Sequence, residues 1–187
     1  MEIDLAKRKG DFWYMTYNIF SQVPSEYVAF DLETTGLGFS SKIIQISAVY
    51  FKDGTEIGAF DQLINPERPI PAKITQLTGI SDADVLFAPT MDQVITNFIQ
   101  FIQDLPIAGY NSKKFDIPML RANTGIDLSP LPHIDVLEMA RLSPIRTPNY
   151  KLTTVKAYYG IQNRAHDSLN DSRATALILE EFRKGNF

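Results

Sequence analysis

A chain of 187 residues, 44% hydrophobic and 21% charged, suits one soluble globular domain with a real core. It has no cysteine and only His133 and His166 for imidazole chemistry, which excludes disulfides, thiolate metal sites and multi-histidine zinc centres. A net charge of −4 argues against a broad basic surface for long duplex DNA. It leaves room for a short grip on a strand end, where bound metals supply positive charge.

No stretch approaches the ~20 apolar residues of a membrane span. Lys7, Arg8 and Lys9 precede Phe12–Met15 in the manner of a signal peptide. Asp11, Thr16 and Asn18 interrupt the apolar run, and no small-residue cleavage site follows, so a cytoplasmic protein is expected. Residues 1–24 read as a helical appendage, capped by Asp11 and apolar almost all round. Packing on the domain is the plain expectation for it, docking on a partner the sharper one. Residues 25–187 read as a single domain.

Tyr27 to Glu33 predict a strand, and Thr34, Thr35 and Gly36 a turn leaving it. Asp31 and Glu33 stand two apart, so an alternating strand points both carboxylates to one face. Lys42–Phe51 predicts a long strand, Asp53-Gly54 a hairpin turn, and Glu56–Ile64 the returning strand. After a proline-punctuated loop a short helix ends near Gly79. Ser81 with Asp84 and Thr90 with Gln93 have capping-box spacing. The second box opens a helix with Val94, Ile95, Phe98, Ile99 and Ile102 inward. Pro106–Tyr110 predicts a short buried strand, Asp116 a helix start, and Ser129–Ile134 a weak last strand. Asp135 caps the next helix, through Leu142. Gly160 stops another begun at Leu152. A final helix spans Ser168–Arg183, with Leu177, Ile178 and Phe182 inward. Strands first, then helices alternating with strands, predict an α/β fold: a mixed sheet flanked by helices.

Two carboxylates crowded at a strand end repel each other and are costly to desolvate. A divalent cation relieves both penalties, and oxygen ligands suit Mg²⁺ or Mn²⁺. One such pair alone reads more readily as a solvated acidic turn, since such pairs arise often by chance. Asp116 after a strand, and His166 with Asp171 at a helix start, are placed to join it at one end of the sheet. Singly, they read as a helix cap, a loop residue and a partner of the helix dipole.

Phe30–Leu37 (FDLETTGL), Gly109–Asp116 (GYNSKKFD) and His166–Asp171 (HDSLND) resemble the three exonuclease motifs of the DEDDh family. That family holds the DnaQ-like 3′→5′ exonucleases, among them the proofreading epsilon subunit of bacterial DNA polymerase III. The flanks at Lys42–Val49, Ile64–Ile80, Asp135–Leu142 and Lys151–Ile161 are similar too, so the resemblance covers roughly residues 26 to 183. It implies an RNase H-like fold with a mixed five-stranded sheet. It implies Asp31, Glu33, Asp116 and Asp171 as ligands of two Mg²⁺ or Mn²⁺ ions about 4 Å apart, with His166 as general base. An imidazole titrates near neutrality and suits that task.

By the same resemblance Thr34, Thr35 and Gly36, Leu77 and Thr78, and Asn111 meet the terminal nucleotide; turn chemistry or core packing is the alternative for each. Lys113, Lys114, Arg146 and Lys151 are candidates for phosphate contact or plain surface. His133, Asp135 and Asp167 are set aside, the two acids as caps. Gln45 stands where many relatives carry glutamate, and Ser168 where a small alanine is usual. The implied function is a 3′→5′ exonuclease on single-stranded ends, DNA over RNA, releasing nucleoside monophosphates as a stand-alone enzyme or separate subunit. A DNA polymerase or other replication protein is the implied partner. The competing readings are a non-catalytic binding module on the same fold and an RNA 3′-end trimming exoribonuclease.

Overall fold

The computed structural model describes residues 20, 22–38, 40–163 and 166–187. A five-stranded sheet in the order β3-β2-β1-β4-β5 forms the spine. β1 (Glu26–Thr34), β2 (Ile43–Lys52) and β3 (Thr55–Leu63) make an antiparallel meander. The β2–β3 hairpin turns through Asp53 (φ 50°) and Gly54 (φ 80°), the left-handed pair that an Asp-Gly turn supplies. β4 (Ile107–Gly109) and β5 (His133–Asp135) extend the sheet in parallel on the other side of β1.

α1 (Ala72–Thr78), α2 (Asp82–Val85) and α3 (Met91–Ile102) follow the meander. Both expected capping boxes form, at Ser81/Asp84 and Thr90/Gln93. α4 (Asp116–Thr124), α5 (Val136–Leu142), α6 (Leu152–Tyr158) and α7 (Ser168–Arg183) complete the chain. Alternation along β1 divides the core. Val28, Phe30 and Leu32 pack with α3 and α4. Tyr27 and Ala29 face α5, α6 and α7. Asp31 and Glu33 continue the second series and so project on the α7 face.

Two expectations need adjustment. The last strand is only His133–Asp135, since Ser129–Leu131 lie in a turn and bend, and Asp135 ends β5 while capping α5. Leu177 is 40% exposed rather than inward; Ala174, Ile178, Leu179 and Phe182 form the buried stripe of α7. Most of the N-terminal appendage lies outside the described residues, although Phe20 and Val23 are buried in the α7-side core. Among the described residues no helix is long and apolar enough to cross a membrane.

Candidate active site

Asp31 and Glu33 stand near the C-terminal end of β1, opposite Ser47 and Gln45 of β2. The other edge of β1 meets β4, which ends at Gly109. A side chain at 109 is impossible there, because a Cβ would lie 2.3 Å from Ser112 Oγ and 3.3 Å from the Phe30 carbonyl oxygen. The chain therefore folds back at once, and Asn111 takes φ 64°. Beyond β4 the Leu32 N–H has lost its neighbouring strand. Asp116 Oδ1, at the start of α4, accepts that hydrogen at 3.1 Å. This bond fixes the third carboxylate beside the first two.

Asp135 steadies the same loop. Besides capping α5, it accepts from the Asn111 N–H (3.1 Å, Oδ1) and the Lys113 N–H (3.2 Å, Oδ2). His133 bonds Ser112 at 2.9 Å and is drawn into the loop rather than the acid cluster. Its burial lowers its pKa.

α7 brings the rest. Asp167 caps it by accepting from the Asn170 N–H. Asp171 lies in its first turn and accepts the His166 N–H at 3.0 Å on Oδ2. His166 is exposed, with φ 58°, a conformation uncommon for any side chain but glycine's lack of one. Glu33, His166 and Asp171 have donor atoms within 4.8 Å of one another; Asp31 and Asp116 stand outside that trio.

Electrostatics joins all four acids. Burial first, then repulsion from Asp116, Glu33 and Asp171, holds the Asp31 pKa well above the ordinary range. Burial and the charges of Asp171 and Asp116 push Glu33 up to about 7. Asp116 and Asp171 are raised as well, chiefly by burial. Asp171 Oδ1 is buried without a hydrogen-bond partner. Oxygen donors that repel one another, one of them unsatisfied, fit hard divalent cations such as Mg²⁺ or Mn²⁺.

The raised values set the sign of a pH effect. A carboxyl whose folded pKa lies above its unfolded value costs stability once pH exceeds the unfolded value, and the full cost applies above the folded one. For Glu33, moved from 4.5 to about 7, that cost is on the order of 3 kcal/mol at pH 8. In EDTA the melting temperature should therefore rise as pH falls from 8 to 5. With Mn²⁺ the trend should reverse, since protons then compete with the cation. Melting curves with and without Mn²⁺ check both signs.

The nucleotide-contact candidates fall on two sides. Asn111 lines a groove of about 620 Å³ with Tyr110, Arg141, Tyr150, Lys151, His166 and Asp171. Thr78 borders a smaller hollow of about 270 Å³ with Gln45, Asp61, Asp84 and Asp167. Leu77 is half exposed, whereas Thr78 is buried and bonds Ile74 O and the Ile80 N–H. Thr34 Oγ1 donates to Gly36 O, and Thr35 Oγ1 accepts the Lys42 N–H, so both hydroxyls serve the turn. Lys113 pairs with Glu138 at 3.5 Å.

Sequence reasoning did not find Asp61 or Lys156. Asp61 faces Ser47 across β2–β3 and accepts from Ser47 Oγ (2.7 Å) and Gln45 Nε2 (2.9 Å). Gln45 Oε1 in turn takes the Ser168 N–H at 3.4 Å, an otherwise open donor at the start of α7. Ser168 Oγ meets Ser47 Oγ, so its buried hydroxyl is satisfied. Gln45 is thus matched to Asp61. Gln45→Glu should set two carboxylates together and cost roughly 1–3 kcal/mol, and Asp61→Asn in the same chain should recover most of it. Denaturant titration of both variants measures this.

The sequence model of the Exonuclease family (RNase_T) matches residues 28–179. The chain is 37% identical over 177 residues to the DNA polymerase III PolC-type of Latilactobacillus sakei, covering 91% of this chain and 12% of that protein. It is 33% identical over 178 residues to that of Bacillus subtilis, with the same coverage. The chain thus spans about an eighth of these relatives. Among solved structures, Exonuclease X in complex with 5′ overhanging duplex DNA aligns with a TM-score of 0.70 at 23% identity, covering 85% of this chain and 92% of that one. Exonuclease I of E. coli, solved with a dA16 oligonucleotide, aligns with a TM-score of 0.72 at 20% identity, covering 87% and 42%. The structural likenesses carry the RNase H-like fold, and the family match with these relatives assigns the chain to the DnaQ-like family of 3′→5′ exonucleases.

Proposed function

We propose that the protein removes nucleoside monophosphates one at a time from the 3′ end of single-stranded DNA. The observation that supports this is the cluster of Glu33, His166 and Asp171 together with the burial and mutual repulsion that raise the pKa values of Asp31, Glu33, Asp116 and Asp171. These four carboxylates would hold two divalent cations, Mg²⁺ or Mn²⁺. When bound, such cations offset the negative charge of the attacked phosphodiester and favour hydroxide formation from water. Glu33 and Asp171 would hold a cation beside His166, and Asp31 and Asp116 would complete the ligand set.

His166 accepts the proton of the attacking water at a ring nitrogen. Its exposure gives that proton a path to solvent. Asn111, Leu77 and Thr78 bound the space for the terminal nucleotide, and Thr34, Thr35 and Gly36 shape the turn beside it. Arg141 and Lys151 bring positive charge to the larger groove, whereas Asp61, Asp84 and Asp167 make the smaller hollow acidic. The polyanionic strand therefore approaches along the groove.

DNA is favoured over RNA because the relatives are DNA polymerases and the aligned structures hold DNA. The PolC-type relatives also support a replicative polymerase as partner and proofreading as the role. The test gives the purified protein 5′-labelled single-stranded DNA or RNA with Mg²⁺, Mn²⁺ or EDTA, beside Asp31→Ala. A ladder shortening from the 3′ end of DNA, absent in EDTA and in the variant, is expected. Binding without shortening would favour a recruitment module, and faster RNA shortening would favour RNA trimming.

A further inference from the structure

Lys156 on α6 is a lysine taken out of water, its side chain only 8% exposed. Such a charge is costly unless compensated, and an apolar residue would fill the same space at less cost. Its partners are Asn163 and the candidate-site carboxylate Asp171. Nζ donates to Asn163 O (3.1 Å) and to Asn163 Oδ1 (2.8 Å). It also stands 3.9 Å from Asp171 Oδ1, the buried oxygen with no hydrogen-bond partner. Asn163 passes the linkage on, since its Nδ2 donates to Asn170 O in the first turn of α7 at 2.6 Å.

His166 follows Asn163 by three residues. Asn163 is tied to Lys156 and to Asn170, and His166 by its own N–H to Asp171 Oδ2. His166 holds φ 58°, in the left-handed region that few non-glycine residues occupy. We propose that Lys156 is a positioning residue for the exonuclease reaction. Through Asn163 it sets the chain bearing His166, and its charge holds Asp171 in place against the repulsion of the neighbouring acids. This rests on the nuclease reading above.

The test compares Lys156→Met, Asn163→Ala and the double variant with the wild-type protein, on 5′-labelled single-stranded DNA at saturating Mn²⁺. Each single variant should lower kcat by about 10–100-fold, the range for residues that orient metal-site groups. KM should stay within about 3-fold, because the strand's own contacts are untouched. The double variant should be no slower than the slower single one, since both break one linkage. A lysine that only stabilised the fold would lower the melting temperature and leave kcat alone. A folded Lys156→Met or Asn163→Ala with kcat within about 3-fold of wild type would overturn the proposal, as would losses that multiply in the double variant. If Lys156→Met does not fold, Asn163→Ala decides, because Asn163 is half-buried and its loss strips no charge of its counterion. Wild-type protein that releases no nucleotide would instead count against the nuclease reading itself.

Discussion

Asp31→Asn is expected to lower kcat by about 10³-fold or more and, in the same protein, to raise the melting temperature measured in EDTA. The first effect follows from the proposed role of Asp31 as a cation ligand; losing several kcal/mol of charge stabilisation at the phosphate costs about that factor. The second follows from the repulsion that Asp116, Glu33 and Asp171 exert on Asp31 in the metal-free fold. An amide of equal size removes that repulsion and keeps the volume. Each kcal/mol gained should add about 2–4 °C to the midpoint for a chain of this length. Opposite signs separate a functional carboxylate from a structural one, because a structural partner would lose stability on substitution. Turnover assays and melting curves on one preparation give both numbers.

His166→Ala is expected to lower turnover by about 10²–10⁴-fold, the contribution of a positioned general base. Mn²⁺ binding should change little, because the four carboxylates remain. Backbone conformation complicates this variant. At φ 58° alanine carries a penalty of about 1–2 kcal/mol, whereas asparagine tolerates the left-handed region. His166→Asn therefore keeps the local chain while removing the base, and it should be as slow as His166→Ala. Calorimetric Mn²⁺ titration beside single-turnover assays distinguishes lost chemistry from lost metal. Turnover near wild type in His166→Asn would remove the imidazole from the mechanism.

The strand acids were legible because a period of two admits one outcome for Asp31 and Glu33. The start and end of α7 were legible because Asp167, Asp171 and Arg183 suit its two ends. The hairpin and both capping boxes were equally plain, since each is a local bond between near neighbours. What escaped depends on register between distant segments. Asp61 matters because β3 pairs with β2 so that it falls opposite Ser47, 14 residues away in sequence. Lys156 looks like any helix lysine until Asn163 and Asp171 close over it. Asp135 reads as a cap and is one, yet its second task, holding the Asn111 and Lys113 N–H groups, needs β4 and β5 side by side. The late start of β5 has the same origin: three residues pair only because β4 is itself three residues long.

The most direct test is anomalous diffraction from crystals of the protein soaked in Mn²⁺. Two manganese peaks are expected among the carboxylates of Asp31, Glu33, Asp116 and Asp171, with His166 beside them. Peaks elsewhere, or carboxylates left without any ion at saturating manganese, would contradict that expectation.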